Sequence, residues 1–286
     1  MLKIIQPKKK DIGDGFIVRR ALPDIDKRMV GPFVFWDHMG PVTIGENNRM
    51  KVRAHPHIGL ATITYLFDGE IMHRDTLGHK QVIRPGEVNW MTAGRGIAHS
   101  ERSPEKIEAP LLEGIQLWLA LPTESEQVEP SFVHFKENEL PQIESSNAKL
   151  RLIAGSALGE KSPVPVYSDL FYLNGKIGRN QEFNFKIAPD QEGAIYIARG
   201  EVEVNGEACP QFSMILYKLG EALSFKSKAD TEFMILGGEV FPEGRKMWWN
   251  FVASTPELIE EAKTRWQNQE FGQVIDEDET IPLPEK

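Results

Sequence analysis

Two short pairs of side chains constrain this chain more than anything else in it. Ala54-His55-Pro56-His57 supplies a His-x-His pair, and Ile97-Ala98-His99-Ser100-Glu101 supplies a His-x-Glu pair. Residues i and i+2 of a β-strand project from the same face, so each pair aims two metal-binding side chains in one direction. Between them, Leu60-Ala61-Thr62-Ile63-Thr64-Tyr65-Leu66-Phe67 is a β-branched and aromatic run that reads as a buried strand. Asp68-Gly69 follows as a turn, and Pro85-Gly86 gives a second turn ahead of a strand through Val88-Asn89-Trp90-Met91. A sheet that folds back through those turns brings both pairs to its interior. His55, His57, His99 and Glu101 would then surround one metal ion.

The same residues carry a family resemblance. The His-x-His pair, Tyr65-Leu66-Phe67-Asp68-Gly69-Glu70, and the run from Pro85-Gly86-Glu87 through Trp90-Met91-Thr92-Ala93-Gly94-Arg95-Gly96 to His99-Ser100-Glu101 resemble the signature of the pirin family within the cupin superfamily. General cupins carry a Glu four or five residues after the His-x-His pair. Those positions are Ala61 and Thr62 here, and the carboxylate stands two residues after the last His instead, as in pirins. The likeness runs from Phe33-Val34-Phe35-Trp36-Asp37-His38 to Met247-Trp248-Trp249-Asn250-Phe251. It implies an all-β fold of two tandem cupin-like β-barrels, a bicupin, with a short C-terminal helix. It also implies an iron site at His55, His57, His99 and Glu101.

Composition agrees with that architecture and narrows the function. A chain of 286 residues suits two domains, expected at 1–138 with the metal site and 139–286 as a degenerate cupin without one. Nineteen prolines and 24 glycines favour short strands joined by tight turns. The formal net charge of −9 argues against direct nucleic-acid binding or attachment to an anionic membrane. Lys8-Lys9-Lys10 reads as a solvated turn. Cys209 is the only cysteine, which excludes an intrachain disulfide and fits a reducing compartment. The apolar run at the N-terminus is too short for a secretory signal, and no stretch approaches a membrane span. The expected location is cytoplasmic, or nuclear in a eukaryote.

Along the chain, Gly13-Asp14-Gly15 reads as a turn, and Asp37-His38-Met39-Gly40-Pro41 as a polar turn whose His38 can support a metal ligand or face solvent. His73 and His79 are expected to face solvent or support a turn. Ile115–Leu121 reads as a strand, and His134 as a histidine on an exposed strand face. The second half echoes the first, with Tyr65–Ile71 recurring as Tyr196–Val202 at an offset of 131. Without gaps, that offset sends His55, His57, His99 and Glu101 to Lys186, Ala188, Asp230 and Glu232, which cannot hold a comparable site. Thr255-Pro256-Glu257 opens a helix as N-cap, first-turn proline and acid. Leu258, Ile259, Ala262 and Trp266 mark its apolar face, and it should stop before Gly272. Met247-Trp248-Trp249 reads as core or interface packing, and Asp276-Glu277-Asp278-Glu279 as a solvated acidic tail.

Three imidazoles and a carboxylate disfavour Ca²⁺ and Mg²⁺, which prefer oxygen shells. They contain the two-His, one-carboxylate set of non-haem Fe(II) enzymes plus one His. Zn, Mn, Co, Ni and Cu fit the same donors, and Fe(II) is favoured through the resemblance. The absence of cysteine ligands favours an open functional centre over a closed structural one. Some pirins resemble quercetin 2,3-dioxygenases, which implies an oxidoreductase acting on a phenolic, flavonol-type ligand with O2 and using Glu101 as the catalytic base. The alternative is a redox-sensing regulatory protein that engages a protein partner without turnover of its own.

Overall fold

Alternation along short strands sets the architecture. The strand Ile71–Asp75, for example, buries Ile71, His73 and Asp75 and leaves Met72 and Arg74 partly exposed, the pattern of a strand with one face on a core. The computed structural model describes residues 3–12, 15–46, 48–108 and 110–285. Gly13 and Asp14 of the expected turn lie outside the described residues.

The chain forms two compact units. One comprises Lys9–Val18, Trp36–Glu137 and Pro242–Lys286 and carries all the histidine pairs; the other comprises Met1–Lys8, Arg19–Phe35 and Asn138–Phe241. In the histidine-bearing unit, a four-stranded sheet has the order Lys51–His57, Ile97–Arg102, Ile71–Asp75, Lys80–Ile83. A larger antiparallel sheet places Ser131–Phe135, Val88–Thr92, Leu60–Asp68 and Leu111–Ala120 side by side. Met39, Leu66 and Leu112 from the larger sheet pack with Ile71 and Ile83 from the smaller one, so the core lies between the two, as in a β-barrel of cupin type.

The second unit repeats the plan. Its four-stranded sheet has the order Glu182–Phe185, Leu223–Ser227, Val202–Val204, Glu207–Cys209. Leu60–Asp68 and Gln191–Arg199 begin and end 131 residues apart, so the echo marks equivalent strands. The ungapped extension to the ligand positions does not follow the sheets. By strand order, the counterpart of the His55/His57 strand is Glu182–Phe185, and that of the His99 strand is Leu223–Ser227. Phe183, Phe185, Leu223 and Phe225 belong there to one apolar cluster. Glu232 instead lies in Thr231–Glu239, beside Arg199 at 3.4 Å and Lys176 at 3.4 Å.

The C-terminal segment completes the histidine-bearing unit. The helix spans Pro256–Gln267 with Thr255 as N-cap, and buries Ile259 and Ala262. With Phe251, Ala253 and Phe271 they form a cluster against Ala54, Ile58 and Ala98, and Trp248, Trp249, Leu258 and Trp266 pack around it. The tryptophan pair is therefore packing material, as read from the sequence. The acidic tail is not wholly solvated. Glu277 is buried, accepts hydrogen bonds from Ser100 Oγ at 2.8 Å and Arg102 Nε at 2.5 Å, and pairs with Arg74 at 3.3 Å. A buried carboxylate persists only with such partners. Phe251 lies at the centre of the C-terminal cluster with 0% exposure. Phe251→Ala should lower stability by about 3–5 kcal/mol, read from the urea midpoint at constant slope. A loss below ~1 kcal/mol would show that this cluster does not hold the segment in place.

Candidate metal centre

The strand Ile97–Arg102 lies between Lys51–His57 and Ile71–Asp75, so residues from three strands meet around it. His99 is paired with His55 on one side and Asp75 on the other; Glu101 is paired with His73. The turn that delivers the chain into this strand depends on glycine. Gly94 has φ +50°, and a Cβ there would stand 1.9 Å from the Val128 carbonyl oxygen, so any other residue would force the backbone apart. That is the physical content of the Gly94-Arg95-Gly96 motif.

The ligating nitrogens of His55, His57 and His99 all lie within 4.8 Å of one another, and all three residues are buried. Among the described residues they are the group of this kind with metal-binding geometry. Glu101 is buried on the same strand as His99, two residues on, but its carboxylate is not part of that group. Its Oε1 is 3.4 Å from the Thr64 hydroxyl, which also lies 2.7 Å from Gln116 Oε1. Trp118 stands edge-on to His57 at 5.1 Å between ring centroids.

Hydrogen bonding decides which nitrogens are free. His55 Nδ1 is 2.8 Å from the Arg53 carbonyl, and His57 Nδ1 is 3.1 Å from the Asn250 carbonyl. A carbonyl only accepts, so both Nδ1 atoms carry the proton and each neutral ring leaves its lone pair on Nε2. His57 Nε2 and His99 Nε2 face each other at 3.1 Å. Two nitrogens each about 2.1 Å from one ion stand about 3.0–3.4 Å apart, so this spacing is compatible with a shared ion. Two ring nitrogens this close in a buried site leave room for a shared cation, and the donor set fits a borderline transition metal.

The other histidines divide differently from the expectation. His73 does not face solvent: it is buried, its Nδ1 lies 3.3 Å from His99 Nδ1, its Nε2 lies 3.0 Å from Asp75 Oδ2, and its ring stacks on Phe132 at 4.3 Å. His79 supports a turn, with Nδ1 3.0 Å from Asp75 Oδ2. His38 is buried against Glu113 at 3.1 Å. His38 thus lies within the strand Phe33–Thr43 and does not face solvent. His134 is half-buried and bonded to Asn89 at 2.8 Å. Asn250 and Asp75 carry no role in the sequence reading. Asn250 acts through its backbone, which leaves no residue-type signal, whereas His73-x-Asp75 is one more pair at strand spacing and was legible in principle.

Burial governs the protonation of the centre. It lowers His55 to about 4 and holds His57 and His99 well below the ordinary histidine value of 6.5, with the neighbouring imidazoles adding to the effect. Burial also lowers His73, although its bond to Asp75 opposes the shift. Burial raises Glu101 to about 7, against a small opposing effect of Thr64. Between pH 6.5 and about 4 the unfolded chain takes up protons at the three clustered histidines that the folded chain refuses, so acid favours unfolding. Glu101 acts the other way, being protonated in the folded chain and ionised in the unfolded one between about 4.5 and 7. The lowered histidines outnumber the one raised carboxyl, so the net effect is loss of stability as pH falls through that window. Metal-stripped protein should therefore lose stability steeply from pH 6.5 to 4.5 in urea titrations. A flat or rising profile would contradict the buried neutral cluster.

Comparison with known proteins agrees with this construction. Residues 15–119 match the Pirin family and residues 172–272 the Pirin C-terminal cupin domain family. The chain is 47% identical to a pirin-like protein of Caulobacter vibrioides over 288 aligned positions, covering 99% of both chains. A solved quercetin 2,3-dioxygenase from Acinetobacter baumannii superposes with a TM-score of 0.93 at 34% identity, covering 100% of this chain and 95% of that one. A second structure with the same name and source gives 0.87 at 27% identity, covering 95% and 97%. No helix among the described residues is long and apolar enough to cross a membrane. With the signature, both barrels and the histidine cluster accounted for, the chain belongs to the pirin family.

Proposed function

We propose that this protein is a metal-dependent dioxygenase of flavonol type, using one mononuclear non-haem iron held by His55, His57, His99 and Glu101. The observation that carries the reading is the convergence of three buried imidazoles on one point beside a buried carboxylate. A solved relative named as a quercetin 2,3-dioxygenase matches the whole chain, which supports the reaction class. When bound, the metal supplies Lewis acidity and open positions for an organic oxygen ligand and O2.

The remaining chemistry falls to the chain. His55, His57 and His99 would hold the ion as neutral donors, because burial disfavours their protonated forms and, at His55 and His57, a backbone carbonyl holds the ring proton on Nδ1. Glu101, whose carboxyl burial raises to about 7 in the metal-free chain, is the group placed to take the proton of a flavonol 3-hydroxyl. Thr64 holds one carboxylate oxygen in place. All three histidines are buried, with Trp118 edge-on to His57. The substrate class is a phenol with an acidic hydroxyl next to an oxidisable ring, and the co-substrate is O2.

Iron-loaded protein should bind about one iron per chain and consume O2 with quercetin. Glu101→Gln should retain iron and bind the flavonol, yet turn over about 10²-fold more slowly or worse. Undiminished turnover in that variant, fully loaded, would remove Glu101 as the base. An iron-loaded wild type that consumes no O2 with any flavonol, while its Fe(III)/Fe(II) couple cycles reversibly, would replace the enzyme with the redox-sensing regulatory protein.

A further inference from the structure

We propose that His73 and Asp75 are positioning residues for His99: one chain of hydrogen bonds fixes the tautomer of His99 so that its Nε2 lone pair faces the shared ligand point. The proposal deepens the reading above and rests on it only in taking His99 as a ligand. It explains a feature the metal ligands leave open. His55 and His57 have backbone carbonyls to fix their Nδ1 protons, whereas the Nδ1 of His99 faces another imidazole, which can donate or accept.

Asp75 resolves that ambiguity. It is fully buried, and its Oδ1 accepts the backbone N–H groups of Leu77 at 2.9 Å and His79 at 3.0 Å. Both oxygens of Asp75 thus face N–H donors, Oδ1 the two backbone groups and Oδ2 the rings of His73 and His79. An ionised carboxylate only accepts, so His73 Nε2, 3.0 Å from Oδ2, carries the proton. A neutral His73 then has its lone pair on Nδ1. His99 Nδ1, 3.3 Å away, must donate to it. The His99 lone pair is thereby left on Nε2, the nitrogen facing His57 Nε2. The ring of His73 stacks on Phe132 at an interplanar angle of 12°, which fixes the plane of the ring.

The same geometry makes Asp75→Asn a polarity switch of nearly unchanged shape. The two backbone N–H groups keep the amide oxygen at the Oδ1 position, so the amide N–H faces His73 Nε2. His73 then moves its proton to Nδ1 and donates to His99. His99 in turn places its proton on Nε2, where it blocks a metal. His73→Gln keeps the original polarity, with an amide N–H toward Asp75 and an oxygen toward His99, whereas His73→Leu removes both.

The test uses the full chain labelled with ¹⁵N-histidine and Co(II) as the probe metal. Long-range ¹H–¹⁵N spectra of metal-free wild type should show Nδ1–H tautomers at His55, His57 and His99 and an Nε2–H tautomer at His73. Asp75→Asn should reverse His73 and His99 while His55 and His57 keep their tautomers, and its Co(II) affinity, by chelator competition, should fall about 10–100-fold. His73→Gln should stay within a few-fold of wild type while His73→Leu falls with Asp75→Asn; this pair decides the matter if Asp75→Asn does not fold. Unchanged tautomers with unchanged Co(II) affinity in Asp75→Asn, or equal losses in the Gln and Leu variants, would overturn the proposal. A wild type with the expected tautomers and tight Co(II) binding that converts no flavonol would remove the dioxygenase reading and leave this one standing.

Discussion

The structure depends on keeping three imidazoles neutral and aimed at one point inside a barrel. A neutral imidazole has one donor and one acceptor, and burial charges for whichever is left unmet, about 1–3 kcal/mol for each group. Here the donors of His55 and His57 are met by the carbonyls of Arg53 and Asn250. The acceptors are turned toward one another, with two Nε2 atoms 3.1 Å apart. That arrangement is costly without a cation and favourable with one. A metal held there would contribute to folding energy, because the unfolded chain has no such convergence. Asn250 reaches the centre only because the C-terminal segment packs into the same unit, through Phe251 and the helix Pro256–Gln267.

The second barrel shows what the scaffold does when that requirement is absent. Its small sheet has the same strand order, yet Phe183, Phe185, Leu223 and Phe225 occupy the strands that correspond to the histidine pairs. The rings of Phe183 and Phe225 stack at 5.2 Å, and each meets Phe233 edge-on. Such a core is satisfied by dispersion and burial alone and needs no proton inventory. The fold therefore specifies neither metal nor chemistry; the identity of a few residues facing the barrel interior does.

The parts of this site that were legible in the sequence are those written in strand periodicity. His55/His57 and His99/Glu101 announce themselves because a spacing of two puts both members of a pair on one face. The 131-residue echo located the equivalent strands Leu60–Asp68 and Gln191–Arg199, but it could not follow changes in loop length to the ligand positions. His73 was hidden by counting: four ligands filled the shell, so a fifth interior histidine read as surplus. Glu277 was hidden by its acidic neighbours, which suggest solvent. Its partners Arg74, Ser100 and Arg102 come from two paired strands, where Ser100 faces Arg74 directly, a juxtaposition that only pairing creates. Asn250 contributes a carbonyl, which every residue possesses.

The environment of Glu101 comes down to one irregularity in strand register. His99 pairs with His55, but Glu101 pairs with Val52, so the strand Lys51–His57 holds one extra residue between those two contacts. In an unbroken ladder the residue opposite Glu101 would be Arg53. A guanidinium there would hold the carboxyl ionised and well below its ordinary range. The bulge replaces it with Val52, which packs on the apolar core, and burial then raises Glu101 to about 7. The displaced Arg53 contributes its carbonyl instead, as the acceptor that fixes the proton of His55. Bulges recur beside active sites because they re-aim side chains without dissolving the sheet. Here a single inserted residue places Val52 opposite the carboxylate, while the carbonyl of the neighbouring Arg53 fixes the proton of His55, so moving this strand would disturb both.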